Sequence, residues 1–384
     1  TFLADGVEAR CDILVVHKGG AVDLFEVKSG TKVNPRYVAD LALQAHAITA
    51  SGHTLRAAYL LHVNPKYVHK EGTDYPPMQL LRSADVTAKV LRHQEALVRR
   101  LQLYRRTLGD ESVQQLPMGT FCTTPFRCPH FEHCAGSSPK LPLRDLPELT
   151  RQLENELHKE GVEDLASLDP QREGLTFRQR RTLLAVQQGQ PLVEPFVQTE
   201  LKSCTKPLHF LAIAGVTETL PRFDGQRPWR FMPYAWAAQT VHADGRVETA
   251  SFVHVDRTDP RQGFAASLHK HLEVGGTAIV WNDRALDELR CLLDDLPTHK
   301  PAARAIVSQQ HLDLMQLLEA GVFHPQLHDR QDLRVSAKVL LGDDSGAELP
   351  VFGEEQLVAA LQKAQAPRVR STTKDKIGTE ILAG

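Results

Sequence analysis

Two runs near the start of the chain decide the reading: Arg10-Cys11-Asp12-Ile13-Leu14-Val15-Val16 and Val22-Asp23-Leu24-Phe25-Glu26-Val27-Lys28. Each is apolar and rich in β-branched residues over the length of a strand, which predicts a buried strand. Between them, His17-Lys18-Gly19-Gly20-Ala21 carries a Gly-Gly pair, a turn signal. The two runs therefore read as a hairpin, with Asp12 on its first strand and Glu26-Val27-Lys28 at the end of its second. Side chains alternate along a strand, so Glu26 and Lys28 share one face and Val27 takes the other. Two carboxylates and an ammonium gathered on one face are costly to bury without partners, and a divalent cation would resolve the conflict. Taken alone, so short a pattern also describes an exposed hairpin with solvated charges.

The next two elements narrow the choice. Val38 to Ser51 has the apolar spacing of an amphipathic helix, with Leu41, Gln44 and Ile48 on neighbouring turns of one face. A further apolar strand, Ala57-Ala58-Tyr59-Leu60-Leu61-His62-Val63, comes after it. In this order, Asp12, Glu26-Val27-Lys28 and Gln44 resemble the core of the RecB-type branch of the PD-(D/E)XK nucleases. In that branch a Gln on the following helix joins the catalytic face within a Gln-x-x-x-Tyr motif. Ile48 stands where the Tyr would fall, so half of that motif is met. The resemblance implies a restriction-endonuclease-like α/β fold and a metal-dependent phosphodiesterase. It implies catalytic roles for Asp12, Glu26, Lys28 and Gln44, with Mg²⁺ or Mn²⁺ held by Asp12, Glu26 and the Val27 backbone carbonyl. The stretches Tyr59 to Val68 and Ser83 to Thr87 resemble a bacterial family of two-domain proteins, along nearly the whole chain. That family joins a RecB-type nuclease to a DnaQ-like exonuclease module of RNase H fold.

Six cysteines occur, and three share one loop, Cys122, Cys128 and Cys134, spaced C-x5-C-x5-C; the others are Cys11, Cys204 and Cys291. No secretory signal or long apolar segment is present, so a reducing cytoplasm and no membrane association are expected, without a disulfide framework. Clustered cysteines in that setting favour a metal site, though the C-x2-C knuckle common in zinc sites is missing. The loop resembles the iron–sulfur staple of AddB-type and CRISPR-adaptation nucleases, which implies a 4Fe–4S cluster with a fourth Cys on a helical segment before the catalytic motifs. Zn²⁺, with His130 and His133 as further ligands, is the alternative. Cys11 reads as a small apolar core residue.

At 384 residues and 42% apolar content, the chain is long enough for two domains and a linker. The formal net charge of −2 provides no global basic field, so affinity for nucleic acid must come from local patches. Lys32 and Arg36, with Lys28, lie beside the hairpin where a phosphate backbone would pass. Arg99, Arg100, Arg105 and Arg106 read instead as a solvated helix face. Pro139, Pro142 and Pro147 mark a linker. After it, helical segments flank Gly161-Val162, and Thr176 is an N-cap candidate for the last of them. Their pattern resembles a helix-hairpin-helix, which contacts phosphates through backbone amides; a plain spacer fits equally.

The second half opens on a buried strand, His209 to Gly215, and continues in the strand and helix order of the DnaQ-like fold. Family members hold two metal ions with an Asp-x-Glu on that first strand. Here Ala212 and Ala214 occupy those positions, and alanine cannot ligate a hard cation. The next acidic position reads Leu286, with Asp283 and Asp287 off register, and a last Asp motif is expected past Gly384. Asp313 falls at a strand end. Engineered inactivation would account for the paired alanines, whereas Leu286 argues instead for natural decay; either way this module is not expected to cut. Trp229, Tyr234 and Trp236 are candidates for stacking on bases, although aromatics at such spacing more often pack.

The expected organisation is a nuclease domain over 1–138 including the cysteine loop, a helical linker over 139–204, and a shortened, inactive RNase H-like domain over 205–384. The expected function is a DNA nuclease, most simply an exonuclease acting on single strands or DNA ends in repair, recombination or defence. An RNA-processing nuclease or a non-catalytic nucleic-acid-binding and assembly protein are the alternatives.

Overall fold

A computed structural model of the chain describes residues 1–110, 118–124, 126–136, 140–282, 284, 286, 306, 308–327, 333–342 and 354–383. The chain folds as two compact units, and their borders are not the expected ones. The first unit takes Thr1–Gln114 together with Thr217–Arg230; the second takes Gln115–Val216 and Phe231–Gly384. The cysteine loop and the helical region after it therefore group with the second half of the chain, and a piece of the second half groups with the first. Pro139, Asp283, Asp287 and Cys291 lie outside the described residues.

The first unit opens with a small hairpin, β1 (Phe2–Ala4) and β2 (Val7–Ala9). Its main sheet has the order β3-β4-β5-β6, built from β3 (Ile13–Val16), β4 (Ala21–Lys28), β5 (Thr54–Val63) and β6 (Leu81–Asp85). β3 and β4 are antiparallel, β4 and β5 parallel, β5 and β6 antiparallel. Parallel neighbours need a crossover, and α1 (Pro35–Ala50) supplies it. Asn34 caps this helix by accepting from the Arg36 N–H, and Pro35 stands at its first position, where a missing N–H costs nothing. α2 (Pro77–Leu80) is a single turn, and α3 (Thr87–Leu108) packs against α1.

Leu41 and Ile48 of α1 are fully buried with Val22 and Leu24 of β4, Ala58 and Leu60 of β5 and Val90 of α3. Each of these Val, Leu and Ile side chains contributes about 1.5–3 kcal/mol on burial. Cys11 packs at the edge of this cluster, in the apolar role its setting predicted. β3 departs from expectation. It starts after Asp12, and its Ile13, Val15 and Val16 are exposed, Ile13 by 45%. The late start lies with Asp12, whose carboxylate accepts the Val27 N–H at 2.8 Å, so that its side chain replaces the next rung of the ladder. On β5, Arg56 is an extra residue between the pairs Val22↔Leu55 and Asp23↔Ala57. That irregularity turns Arg56 onto the buried Asp23, which also meets His17 Nε2 at 2.9 Å.

The second unit begins with the 3₁₀ turn Thr120–Cys122 and α4 (Phe131–Ala135), which bracket the cysteine loop. α5 (Arg151–Lys159) and α6 (Phe177–Gln188) come next, and Leu143, Leu146, Leu157, Leu165, Leu168, Leu175 and Leu183 form their own core. Thr176 caps α6 as read from the sequence, in a reciprocal box with Gln179. No helix comes directly after Gly161-Val162. Asp164 instead bridges to Pro142 and the chain turns until α6, so the helix-hairpin-helix pattern is not formed there. β7 (Leu192–Val193) and α7 (Pro195–Ser203) lead to the main sheet.

That sheet has the order β10-β9-β8-β11-β12, from β8 (Leu208–Thr217), β9 (Phe231–Val241), β10 (Val247–Val253), β11 (Thr277–Val280) and β12 (His311–Asp313). β10 is antiparallel to β9, while β11 runs parallel to both β8 and β12. α8 (Arg261–Leu272) packs its Phe264 and Leu268 on Leu211 and Trp236. α9 (Leu314–Gly321) starts where β12 ends, and β13 (Val322–Phe323) pairs with β7. α10 (Leu333–Leu341), α11 (Glu354–Ala364) and α12 (Ser371–Ala383) complete the unit, and α12 packs on β9 and β10. Among the described residues no helix is long and apolar enough to cross a membrane.

Candidate active site

Glu26, the residue on which the sequence reading turned, is only 6% exposed at the C-terminal end of β4. Both of its carboxylate oxygens are engaged. Lys28 Nζ donates to Oε1 at 2.6 Å and Gln44 Nε2 to Oε2 at 2.9 Å. Alternation along β4 turns Val22, Leu24, Glu26 and Lys28 toward α1, and the helical repeat of α1 turns Tyr37, Asp40 and Gln44 toward the strand end. The structure thus brings Glu26, Lys28 and Gln44 together. Asp12 is adjoined through its bond to the Val27 N–H, not through the face that Glu26 occupies.

One member of the site was missed. Asp40 Oδ2 accepts from Lys28 Nζ at 2.7 Å, so the ammonium bridges Asp40 and Glu26. The signal was available: Asp40 lies four residues before Gln44, one turn away on the same helix face. Lys28 Nζ also stands 5.6 Å from the centre of the Tyr37 ring. Tyr37 reaches so close to the chain after β4 that a Cβ at Gly30 would lie 2.9 Å from its hydroxyl, and only glycine leaves that space. Burial pulls the Lys28 pKa down, but the hydrogen bonds to Asp40 and Glu26 outweigh it and hold the group above the ordinary lysine range. Lys28 is therefore an ammonium throughout the physiological range and cannot serve as a base.

The donor set is all oxygen apart from Lys28 and the Gln44 amide nitrogen, and two carboxylates, Glu26 and Asp40, face one ammonium, with the Asp12 carboxylate on the Val27 N–H. Gln44 Oε1 is buried with no hydrogen-bond partner, an acceptor that a cation or its water would satisfy. Among the described residues no group of three His, Cys, Asp or Glu side chains converges as a ready metal site. Mg²⁺ does not require one, since it is bound through one or two carboxylates and keeps several waters. Asp12 and Glu26 carry the kind of oxygen donor such a hard cation takes, and both carboxylates are engaged by protein donors here.

Lys32 and Arg36 are exposed just beyond β4 and in the first turn of α1. Val33, Pro35 and Val38 join Lys89, Arg92 and His93 of α3 in lining a groove of about 420 Å³. Those three α3 residues were not singled out in the sequence, because their proximity to the start of α1 is purely tertiary.

In the second unit, Cys128 N–H donates to the Cys122 carbonyl at 2.8 Å, and Cys134 N–H to the His130 carbonyl at 3.2 Å. Cys122 is buried, and Cys128 and Cys134 are half-buried. The loop is a compact fold in which Glu154 accepts from the Thr120 N–H and hydroxyl. Its three thiols are not gathered into a metal-ready cluster. On β8, Ala212 is exposed and Ala214 half-buried, on the face opposite Leu211, while Leu286 is packed in the core cluster. Asp313 accepts from the Gln316 N–H as the N-cap of α9, a structural role. Tyr234 is 0% and Trp236 3% exposed, so neither can stack on a base; Trp236 lies against His271 in the core. Trp229 is different, being 40% exposed and part of the first unit.

Residues 209–331 match the sequence model of a domain of unknown function (DUF2779), a stretch that begins on β8 and ends after β13. No curated protein and no solved structure matches the chain.

Proposed function

We propose that this protein is a metal-dependent nuclease, with a first unit of PD-(D/E)XK (RecB-type) fold and a second of RNase H-like, DnaQ type that lacks its catalytic acids. The observation that carries the reading is the junction of Glu26, Lys28 and Gln44 at the end of a strand flanked by one antiparallel and one parallel neighbour. The strand order β10-β9-β8-β11-β12, with β11 parallel to β8 and β12, supports the second assignment.

In this reading Asp12, Glu26 and the Val27 carbonyl hold Mg²⁺ or Mn²⁺. When bound, the cation supplies Lewis-acid charge to the phosphodiester and lowers the pKa of a water. Lys28, fixed as an ammonium, orients the attacking water or faces the charge that builds on the phosphate. Asp40 holds Lys28 in place from the far side, and Gln44 positions Glu26 and the water or substrate. Lys32 and Arg36 meet the phosphates on either side, and the groove lined by Lys89, Arg92 and His93 at the start of α1 is a second place for the strand. DNA, single-stranded or at ends, is the first substrate, with a role in repair, recombination or defence; RNA is compared in parallel assays.

The test is cleavage of end-labelled single-stranded and duplex DNA, and matched RNA, with Mg²⁺ or Mn²⁺. Wild type is expected to cut and Glu26→Gln to lose at least about 100-fold in rate. Binding without metal-dependent cleavage would replace the nuclease by a binding or assembly protein.

Cys122, Cys128 and Cys134 lie along one short loop, and a 4Fe–4S cluster, with Zn²⁺ as the alternative, would have to draw together thiols that stand apart in this structure. Protein purified without oxygen is expected to be brown, with absorbance near 400 nm that Cys128→Ser removes together with thermal stability. Stoichiometric zinc in a colourless protein would assign the loop to zinc.

A further inference from the structure

The connection between β8 and β9 does not fold with its own sheet. Residues Thr217–Arg230 belong to the first unit, and hydrogen bonds along the 69–75 segment of that unit pin them. His69 N–H donates to the Gln226 carbonyl at 2.9 Å, and Gly225 N–H to the His69 carbonyl at 3.0 Å. Glu71 N–H donates to Asp224 at 2.5 Å and the Tyr75 hydroxyl to the Pro221 carbonyl at 2.8 Å. Inside the connection, Gln226 is fully buried, and its Oε1 accepts from the Arg222 and Phe223 N–H groups. A long excursion is thereby made into a rigid arm.

Trp229 stands at the end of that arm. Its backbone N–H donates to the Glu218 carbonyl at 2.8 Å, and its indole N–H to the carbonyl of Ser29 at 2.7 Å. Ser29 is the residue after Lys28. Trp229 also has φ +62, a left-handed conformation that costs a bulky residue roughly 1–2 kcal/mol. Glycine would adopt it freely. The residue remains 40% exposed, so only part of its surface is buried to offset that cost. The polar edge of the ring is fixed to the chain that carries Lys28, while much of the ring stays open to solvent.

We propose that Trp229 is a positioning residue, a platform on which a base of a single-stranded nucleic acid stacks while its backbone lies at Lys28. The proposal deepens the nuclease reading and rests on it for the placement of the phosphate. A free strand is favoured over a duplex because its bases offer unstacked faces to an aromatic ring, whereas duplex bases already stack on one another.

The experiment uses the full chain in EDTA, so that the probe stays intact. Binding of a fluorescein-labelled oligothymidylate is compared with that of an abasic oligomer of equal length and of a duplex. Trp229→Ala is expected to weaken oligothymidylate about 10-fold and leave the abasic oligomer unchanged, with Trp229→Phe retaining most of the affinity. Oligothymidylate is also expected to quench wild-type tryptophan fluorescence, and Trp229→Phe to abolish that quenching, which holds even if the alanine variant misfolds. No binding by wild type, equal loss on both oligomers, no loss, or tighter binding of the duplex would overturn the proposal. The nuclease reading is scored separately: base-dependent binding without Mg²⁺-dependent cleavage would sink the nuclease and keep the platform. Cleavage with an unchanged KM for oligothymidylate in Trp229→Ala would sink the platform alone.

Discussion

β4 of the first unit and β8 of the second are both inner strands of mixed sheets, each with an antiparallel ladder elsewhere in its sheet and a parallel neighbour of its own. Their chemistry is opposite. β4 ends on Glu26 and Lys28, whose charges are met by Gln44 and Asp40. β8 carries Ala212 and Ala214, and Leu286 fills a core position with Phe264 and Leu268. A sheet keeps its order through packing on one face and the backbone ladder; the charges at a strand end are not needed for that and add a desolvation cost. Where they persist, as on β4, each has to be held by a partner. Where the strand carries alanines instead, as β8 does at Ala212 and Ala214, no such partners are needed.

The sharpest way to break the contrast is at Lys28. Lys28→Ala should cost at least about 100-fold in cleavage while leaving circular dichroism unchanged. In wild type the Lys28 charge should survive high pH, because its partners hold its pKa above the ordinary lysine range. Cleavage at fixed metal should therefore not decline between pH 8 and about pH 10, below the ordinary lysine pKa. An alkaline fall in that window would remove Lys28 from the role of fixed cation.

A smaller effect separates structural from functional charge on the same strand. The hydrogen bond from Arg56 lowers the pKa of buried Asp23 against the opposing effect of burial, and the bond to His17 lowers it further. A carboxyl lowered on folding stabilises the protein above its unfolded pKa, and that stabilisation is lost as pH falls through the folded value. Urea unfolding of wild type and Asp23→Asn should thus differ by a constant amount from pH 5 to 7, with the gap closing below about pH 4. A gap undiminished at pH 3 would assign the effect to packing. Cleavage by Asp23→Asn should stay near wild type.

The smallest expected effect is none. Ala212→Asp with Ala214→Glu, placed in Glu26→Gln protein, should not restore metal-dependent cleavage, because in the proposed reading Leu286, packed in the core, would still stand in place of the next acid. Restored cleavage would show that two side chains are all that separates the two strands.

Much of the first unit was legible from spacing: the hairpin, the helix around Leu41, Gln44 and Ile48, and the next strand. Local rules fix these. Asp12 lay one residue outside its strand because a side-chain hydrogen bond took over a backbone rung, a substitution that alternation cannot foresee. Exposure of Ile13 and Val15 was hidden for a related reason: an apolar run specifies a strand, not what covers both of its faces. Asp40 was readable from its turn of helix and was passed over. Trp229, Tyr234 and Trp236 looked alike in sequence. Only tertiary contacts, bringing 217–230 to the 69–75 segment, put the first in solvent and the others in a core.

That borrowed arm has a consequence for the order in which the protein comes into being. Residues 1–114 leave the ribosome long before Trp229 does, and the first unit is complete only once residue 230 has emerged. At about 5–20 residues per second, that interval lasts roughly 6–23 s. A nascent chain would carry the Glu26–Lys28 cluster through all of it without the indole beside Ser29.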